Sequence, residues 1–350
     1  MSTTADSNAT ADDGGGGPPI NYSDAERIAL GFFLILIIFV TFFGNMLVVT
    51  VFCLFKNLRT MTNYFIVSLA VADMLVAALV MPFGVYQQVN NTYWPLGDIV
   101  CKLSICFDVL FSTSSILHLS CMAMDRYFGV CNPLHYHETI TKQSVAVMIT
   151  VCWTLPCFIS FLPILMEWNL IGIQDIFAAM VPPDGTVCMF IVNIPYAYVC
   201  SCIAFYIPVI FMTIVYIKIF KVAHKQAHEI RSMELASGMG KGKESSENGR
   251  GYKSSENKAA VTLAVIMGAF SICWFPFFIN NLIGPVINYK TTFTSNMITH
   301  WLGWINSTIN PFLYYGLNSN FRRAFKYVLL CHKCRGLSPL EYRKREFNDI

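Results

Sequence analysis

The chain has 350 residues, of which 55% are hydrophobic and only 13% are charged, and its formal net charge at pH 7 is +3. Soluble domains usually carry about twice that charged fraction, so the composition excludes an ordinary soluble protein and indicates that most of the surface faces lipid. The small net charge gives no reason to expect a nucleic-acid partner.

The first 27 residues are acidic and rich in glycine and proline, and they lack the basic and apolar regions of a cleavable signal peptide. We expect residues 1–27 to be a disordered, extracellular N-terminus. Asn8 and Asn21 begin Asn-x-Ser/Thr motifs, as does Asn90, and we take Asn8 and Asn21 as candidate glycosylation sites. The same motif at Asn306 lies in an apolar stretch where we expect no glycan, so the motif alone is weak evidence of glycosylation.

Seven apolar stretches follow, each long enough to cross a bilayer as a helix of about 20 residues. They lie at residues 28–54, 62–87, 102–126, 144–166, 194–219, 259–285 and 293–317. A transmembrane β-barrel would instead show weak alternation in pieces of about ten residues. The sequence therefore predicts an all-α membrane protein, a bundle of seven transmembrane helices over residues 28–317.

The basic residues predict the orientation of the bundle, because Lys and Arg collect on the cytoplasmic side. With the N-terminus outside, all of the 24 Lys and Arg residues except Arg27, Lys102 and Lys290 lie on the inner side. This favours a multi-pass plasma-membrane protein with an extracellular N-terminus and a cytoplasmic tail over residues 335–350.

Two inner segments have distinctive compositions. Residues 223–256 are rich in Gly, Ser, Lys and Glu without hydrophobic periodicity, which predicts a flexible third inner loop. Residues 318–334 place apolar and basic side chains on opposite helical faces, which predicts an interfacial amphipathic helix in contact with membrane lipid. Cys331 and Cys334 end this segment, and both are candidates for palmitoylation.

Two of the 13 cysteines lie outside the apolar interior of the spans. Cys101 lies at the outer end of the third span, and Cys188 lies in the loop before the fifth span. Both face an oxidising compartment in the predicted orientation, so we expect a disulfide that holds the loop to the helix.

Two acidic residues lie inside predicted spans, where an ionisable side chain costs several kcal/mol and marks a functional site. They are Asp73 and Asp108, and no Lys or Arg lies at comparable depth in another span. Asp108 lies about two turns below Cys101, roughly 10 Å along the helix, so it is shielded yet reachable from outside. We expect a ligand cation to supply the missing counter-charge; the alternative is a protonated or hydrated structural Asp.

Aromatic residues could complete a cation site, since rings around an ammonium attract it by up to about 2 kcal/mol. Trp274, Phe277 and Phe278 flank a predicted kink at Pro276, and Trp304 lies in the seventh span. Spacing alone does not show that these rings converge on the acid.

Six short motifs occur in order at matching depths: Gly44-Asn45, Leu69-Ala70-x-x-Asp73, Asp125-Arg126-Tyr127, Trp153, Cys273-Trp274-Phe275-Pro276 and Asn310-Pro311-x-x-Tyr314. Together they resemble rhodopsin-like G-protein-coupled receptors over about residues 28–334. The position of Asp108 resembles that of the aspartate which holds the ligand ammonium in receptors of the aminergic group.

The resemblance implies a role for each motif. The implied ligand contacts are Asp108, Val109, Ser112, Cys200, Ser201, Ala204, Trp274, Phe277, Phe278, Asn281, His300 and Trp304. The implied activation switches are Asp125, Arg126, Tyr127, Pro276, Asn310, Pro311 and Tyr314. The implied site for sodium, with no other metal and no cofactor expected, comprises Asp73, Ser115, Asn306, Ser307 and Asn310. The implied partners are a small amine, a heterotrimeric G protein of the stimulatory type, arrestin and a receptor kinase.

Two branches of the aminergic group share segments with this chain. The stretch that begins at Asn63 and the one that begins at Asn310 look most like serotonin type-4 receptors, whereas residues 221–230 and 272–278 resemble trace-amine-associated receptors. Asn320-Phe321 departs from the trace-amine pattern, which usually has Trp-Phe there. His300 and Trp304 depart from both branches. The ligand is a trace amine or another biogenic amine; the alternative is a serotonin receptor of the type-4 kind.

Three other classes also bury polar residues in helices. A transporter of organic cations would show internal repeats, and we find none. A retinal-binding light sensor needs a lysine in the seventh helix, and residues 291–325 contain none. A membrane enzyme would need a metal-ligand or nucleophile cluster, and none stands out from the sequence.

Overall fold

A computed structural model describes residues 23–90, 92–180, 187–236, 247–290 and 293–330. Within these ranges the chain is helical apart from short connections and a single antiparallel bridge between Tyr93 and Val187. The helices in chain order are α1 (Asp24–Leu54), α2 (Met61–Leu79), α3 (Met81–Val89), α4 (Gly97–Cys131), α5 (Tyr136–Thr139), α6 (Lys142–Leu165), α7 (Gln174–Met180), α8 (Ile194–Ser201), α9 (Ile207–Ala236), α10 (Glu247–Val286), α11 (Phe293–Leu317) and α12 (Ser319–Leu329).

Six stretches of the described chain are long and apolar enough to cross a membrane. They are Asp24–Leu54, Met61–Val89, Gly97–Cys131, Lys142–Leu165, Ile194–Gln226 and Ala260–Val286. The helix α11 is also 25 residues long, but it carries polar side chains such as Asn306 and Asn310. Both side chains are buried inside the bundle, where α11 packs against α1 and α10. The predicted all-α bundle of seven spans is confirmed.

The first span begins four residues earlier than its apolar stretch predicts. Ser23 caps α1 by accepting a hydrogen bond from the Glu26 backbone N–H, and the Glu26 carboxylate accepts in return from the Ser23 N–H at 2.8 Å. This capping box satisfies two backbone donors that the helix itself cannot pair, so polar residues extend the helix to Asp24. The predicted N-terminal segment 1–27 therefore ends in helix, and residues 1–22, with Asn8 and Asn21, lie outside the described residues.

Two spans are interrupted where a proline follows. The second span breaks at Val80, between α2 and α3, and Pro82 occupies the first turn of α3. The fifth span consists of α8, a π-helical turn over Cys202–Tyr206 and α9, with Pro208 just beyond the turn. A proline lacks the N–H needed by the preceding turn, so local rearrangement is expected at both positions.

The predicted third inner loop is partly helical. The helix α9 continues to Ala236 and α10 begins at Glu247, so residues 223–236 and 247–256 of the predicted loop are helical. Eight of the 14 residues 223–236 are Ala, Lys, Gln, Glu or Met, and their high helix propensity favours this extension of the helix. Residues 237–246 lie outside the described part of the chain.

The predicted helix after the seventh span is present as α12. The Asn318 side chain caps it by accepting from the Asn320 and Phe321 backbone N–H groups. Phe321 and Phe325 are buried against the bundle, and Leu329 is exposed. This arrangement is that of a helix with one apolar face, as predicted. Cys331, Cys334 and the tail 335–350 lie outside the described residues.

Candidate ligand-binding site

A cavity of about 440 Å³ opens at the end of the bundle where the second, third, sixth and seventh spans meet the segment before α8. Its walls come from α3, α4, α10 and α11, and its cover comes from residues 188–192 and the end of α7. Most of its lining is apolar, as is usual for a small-molecule site.

The cover of the cavity is tied to the bundle by several contacts. Cys101 at the start of α4 and Cys188 form the predicted disulfide. The Gln87 amide donates to the Cys188 carbonyl at 2.8 Å. Lys102 binds both Asp98, at 2.8 Å, and Glu167, at 2.7 Å, which joins α4 to the loop after α6. These contacts hold the outer loop at the mouth of the cavity.

Asp108 lies in the inner wall of the cavity. The Trp304 indole N–H donates to Asp108 Oδ1 at 2.8 Å, and the Ser112 hydroxyl donates to the same oxygen at 3.3 Å. The second oxygen, Oδ2, has no hydrogen-bond partner among the described residues. No Lys or Arg lines the cavity within the described chain, so no permanently charged basic side chain there balances the carboxylate.

An aromatic wall runs beside this carboxylate. The Phe277 and His300 rings meet edge to face with centroids 4.6 Å apart, and His300 lies 5.8 Å from Trp304. The Trp301 ring packs against the Trp304 ring with centroids 5.0 Å apart. Trp304 contacts Asp108 directly, and His300 and Phe277 line the same cavity.

The predicted contact residues divide into two groups. Those that line the cavity are Asp108, Val109, Phe277, Asn281, His300 and Trp304. Those that do not line it are Ser112, Cys200, Ser201, Ala204, Trp274 and Phe278. The first group lies on α4, α10 and α11, whereas Cys200, Ser201 and Ala204 of the second group lie on the fifth span.

The fifth-span side is closed by packing. The Asn281 amide donates to the Ser201 hydroxyl at 3.0 Å, and Ser201 is fully buried. The Phe205 and Phe278 rings stack with centroids 4.4 Å apart. The cavity therefore extends toward α3 and α11, not toward the serine that the resemblance places against the ligand.

Several lining residues were not singled out from the sequence. Gly84 and Gln87 come from α3, and Asn296 and Met297 come from α11. The α11 pair could have been found, because Asn296 precedes His300 by one helical turn and shares its face. The α3 residues could not have been found, since the face of the helix on which they lie depends on the break at Val80.

A second polar cluster lies deeper, between α2 and α11. The Asn310 amide donates to Asp73 Oδ2 at 2.8 Å. Asp73 Oδ1 and the side-chain oxygens of Asn306 and Asn310 are buried without a hydrogen-bond partner. Ser307 is buried nearby on α11, and Ser115 donates to the Phe111 carbonyl. The unpaired oxygens suit a hard cation such as sodium, which prefers oxygen ligands.

Other described residues offer no alternative metal site. No group of three or more His, Cys, Asp and Glu side chains in the described chain is placed to bind a metal ion.

His118 is a buried ionisable residue that the sequence analysis did not single out. Its ring nitrogens lie 2.8 Å from the Ser114 carbonyl and 2.8 Å from the Ser68 hydroxyl, which also accepts from Trp153 Nε1. These bonds join α2, α4 and α6.

The opposite end of the bundle holds a buried ion pair. Arg126 Nη2 lies 2.7 Å from Asp125 Oδ2, and the Thr62 hydroxyl bonds both side chains. The Tyr136 hydroxyl donates to Asp125 Oδ1 at 2.9 Å. Asp125 is fully buried and Arg126 is nearly so, so the arginine is held away from the inner surface.

The remaining predicted switches lie on the helices around this pair. Tyr127 follows Arg126 on α4 and has Lys218 6.0 Å above its ring. Pro276 lies inside α10 and Pro311 inside α11, where each removes a backbone donor. The Tyr314 hydroxyl is buried without a hydrogen-bond partner. Pro276, Pro311 and Tyr314 thus lie on two proline-containing helices, α10 and α11, whereas Tyr127 lies on α4 beside the ion pair.

Comparison with known proteins gives several extended matches. The family model for the 7 transmembrane receptor (rhodopsin family) matches residues 44–314. The 5-hydroxytryptamine receptor 4 of Homo sapiens is 41% identical over 341 residues, 95% of this chain and 86% of that receptor. The D(1)-like dopamine receptor of Takifugu rubripes is 37% identical over 342 residues, 91% of this chain and 73% of that receptor. The trace amine-associated receptor 4 of Mus musculus is 36% identical over 305 residues, 86% of each protein.

Proposed function

This chain belongs to the rhodopsin family of seven-transmembrane receptors, and from that membership we propose that it is a plasma-membrane receptor for a small protonated amine. The N-terminus is extracellular, and the cavity opens to the outside. The activated receptor couples to a stimulatory G protein and raises cAMP. Members of this family are receptors and not enzymes.

One observation carries the proposal: Asp108 lies in the cavity wall with Oδ2 unpaired and with no Lys or Arg lining the cavity within the described chain. A ligand ammonium can supply the missing charge and donate a charge-assisted hydrogen bond to that oxygen. The neighbouring rings of Trp304, His300 and Phe277 suit the remaining N–H and C–H groups of the cation. The relatives named above are receptors for 5-hydroxytryptamine, dopamine and trace amines, and all of these ligands are amines.

The alternative is a serotonin receptor of the type-4 kind, and the 41% identity with that receptor favours it. The fifth-span side of the cavity does not favour a catechol, because Ser201 is buried and bonded to Asn281. A diamine would need a second carboxylate, and none besides Asp108 lines the cavity within the described residues. A monoamine is therefore the preferred ligand.

Activation begins at the cavity and ends at the buried ion pair. A bound amine bridges Asp108 and the aromatic wall, and the sixth span then pivots about Pro276 below it. This opens a cleft at the inner end, and Arg126 leaves Asp125 to meet the G protein. Ligand binding shifts the equilibrium only by its preference for the open form. The cluster around Asp73 binds sodium and stabilises the resting form.

Further partners follow from the same proposal. Arrestin and a receptor kinase act on the activated receptor at its inner face. The helix α12 lies against membrane lipid, where palmitoylation of Cys331 or Cys334 would anchor it. Glycans on Asn8 or Asn21 would lie outside the cell. These sites lie at the ends of the chain, beyond the described residues.

The proposal is tested by measuring cAMP in cells that express the receptor with an N-terminal epitope tag. Serotonin, phenylethylamine, tyramine, dopamine and cadaverine form the panel. Antibody staining of the tag on intact cells reports both surface expression and the extracellular position of the N-terminus. We expect at least one monoamine to raise cAMP, and Arg126→Ala to abolish the response while amine binding persists. Calcium release without cAMP, or a response that survives in Arg126→Ala, would contradict the proposed coupling.

A further inference from the structure

Gly84 lies in the middle of α3, on the face that lines the cavity. A glycine inside a helix is less favourable than alanine, because it loses more backbone freedom on folding. Alanine at this position would nevertheless meet the Trp304 ring. A Cβ built on Gly84 lies 2.5 Å from Trp304 Cζ3 and 2.8 Å from Cη2, closer than real Cβ atoms approach a neighbour.

The Trp304 ring cannot retreat easily from such a contact. Trp301 packs on it with centroids 5.0 Å apart, and His300 lies 5.8 Å away on the cavity side. Trp304 is buried, and its indole N–H is already committed to Asp108 Oδ1 at 2.8 Å. Any shift of the ring away from α3 therefore changes the hydrogen bond to Asp108.

We propose that Gly84 is a positioning residue for the amine site: its missing side chain lets the Trp304 indole lie where its N–H binds Asp108 Oδ1, which leaves Oδ2 for the ligand ammonium. This inference rests on the proposed function for its last step. The two carboxylate oxygens then have separate tasks. Oδ1 is fixed by Trp304 and Ser112, and Oδ2 takes the ligand.

The same geometry shapes the ligand. Because Trp304 fills the space between Gly84 and the carboxylate, the ammonium approaches Oδ2 from the open part of the cavity, which contains Val109 and Phe277. One N–H of the ammonium meets Oδ2, and the remaining groups on nitrogen face apolar or aromatic surface.

The first test is independent of any amine. Purified receptor labelled with ¹⁵N-tryptophan contains six indole N–H groups, and the Trp304 signal is assigned by its loss in Trp304→Phe. We expect Gly84→Ala and Asp108→Asn each to shift this signal, because both disturb the same hydrogen bond. Gly268→Ala in α10 and Gly316→Ala in α11 are matched controls, since a Cβ at either position has no neighbour within 4 Å. An unmoved Trp304 signal in Gly84→Ala overturns the proposal.

The second test uses cAMP, with serotonin, tyramine and phenylethylamine as probes. Gly84→Ala should reduce potency about tenfold or more, the usual effect of losing a hydrogen bond to a charged group. Trp304→Phe should reduce it similarly, and Gly84→Ala should add little in the Trp304→Phe background because the smaller ring removes the overlap. Additive losses in the double variant would contradict the assigned contact.

Folding and function are separated by the same set of variants. If Gly84→Ala fails to reach the cell surface, Gly84→Ala/Trp304→Phe should reach it as well as Trp304→Phe does. Failure of the double variant as well would show that the overlap with Trp304 is not the cause, and the proposal falls. If no amine activates the wild-type receptor, the proposed function fails, while the indole signal still decides whether Gly84 positions Trp304.

Discussion

Asp108 and Ser201 are two polar residues predicted to contact the ligand, and the structure gives them different surroundings. The carboxylate of Asp108 keeps one oxygen unpaired at the cavity wall, whereas the Ser201 hydroxyl is buried and bonded to Asn281. The first residue is therefore available to a ligand, and the second acts on a ligand only through its neighbour. The effects of substitutions at these two positions on agonist potency should therefore differ in size and in additivity.

Asp108→Asn keeps the shape of the side chain and removes its charge. Loss of one partner of a buried charged pair typically costs about 2–5 kcal/mol, so agonist potency should fall by at least roughly thirtyfold. Asp108→Glu keeps the charge and should retain partial response. The measurement is amine potency in the cAMP assay at matched surface expression. A normal response of Asp108→Asn to the same amine would rule out the ammonium contact.

Ser201→Ala removes an acceptor from the Asn281 amide without touching the cavity directly. We expect a potency loss equivalent to about 1 kcal/mol, the net value of a neutral hydrogen bond. Because the effect passes through Asn281, Ser201→Ala should cause no further loss in the Asn281→Ala background. A double-mutant cycle on potency measures this. A loss above a hundredfold, or full additivity, would instead indicate direct contact between the ligand and Ser201.

At the scale of helices, the inner ends of α2, α4 and α5 converge on Asp125. Thr62 from α2 and Tyr136 from α5 donate hydrogen bonds to the carboxylate that also binds Arg126. Buried charged groups need such partners, because an unpaired charge in the interior is costly. The resting position of Arg126 therefore depends on two helices besides its own.

Tyr136→Phe removes the hydrogen bond to Asp125 Oδ1 and keeps the ring. A hydrogen bond to a charged group contributes about 1.5–3 kcal/mol, so its loss should weaken the resting arrangement and raise basal cAMP several-fold. The measurement is cAMP without agonist, normalised to receptor at the surface. Tyr64→Phe, at a partly exposed position on α2, is the matched control. An unchanged basal signal in Tyr136→Phe would show that this bond does not restrain activation.

At the scale of the whole molecule, three polar clusters lie in series along the bundle. The cavity with Asp108 lies at one end, the cluster around Asp73 lies in the interior, and the Asp125–Arg126 pair lies at the other end. The helix α11 carries both Trp304 and Asn310, so it contributes side chains to the first two clusters. A change at the middle cluster should therefore alter ligand affinity without any contact with the ligand.

Asp73→Asn should remove the influence of sodium on amine affinity. In the wild-type receptor we expect amine affinity to fall when sodium replaces potassium at equal ionic strength, because a sodium ion that prefers the resting form must, by reciprocity, weaken amine binding. The measurement is the affinity of the most potent amine of the panel in each salt. Asp24→Asn, at an exposed position, should keep the sodium effect. A sodium effect that persists in Asp73→Asn would exclude this aspartate as the sodium ligand.

The sequence alone determined the architecture and the residues with unusual chemistry. Runs of about 20 apolar residues admit only helices in a bilayer, so the spans follow from composition. Asp73 and Asp108 stand out for the same reason, because charge at membrane depth is costly. The positions of Cys101 at the outer end of a span and of Cys188 in the outer loop predicted the disulfide correctly.

The tertiary structure decided which side chains share the cavity. The break at Val80 turns Gly84 toward Trp304, and the Ser201–Asn281 bond closes the fifth-span side. Neither fact follows from spacing within one helix, because each depends on the relative rotation of two helices. The unequal environments of the two Asp108 oxygens have the same origin, since one donor lies 196 residues farther along the chain. Local hydropathy specifies helices, and only packing between them specifies a site.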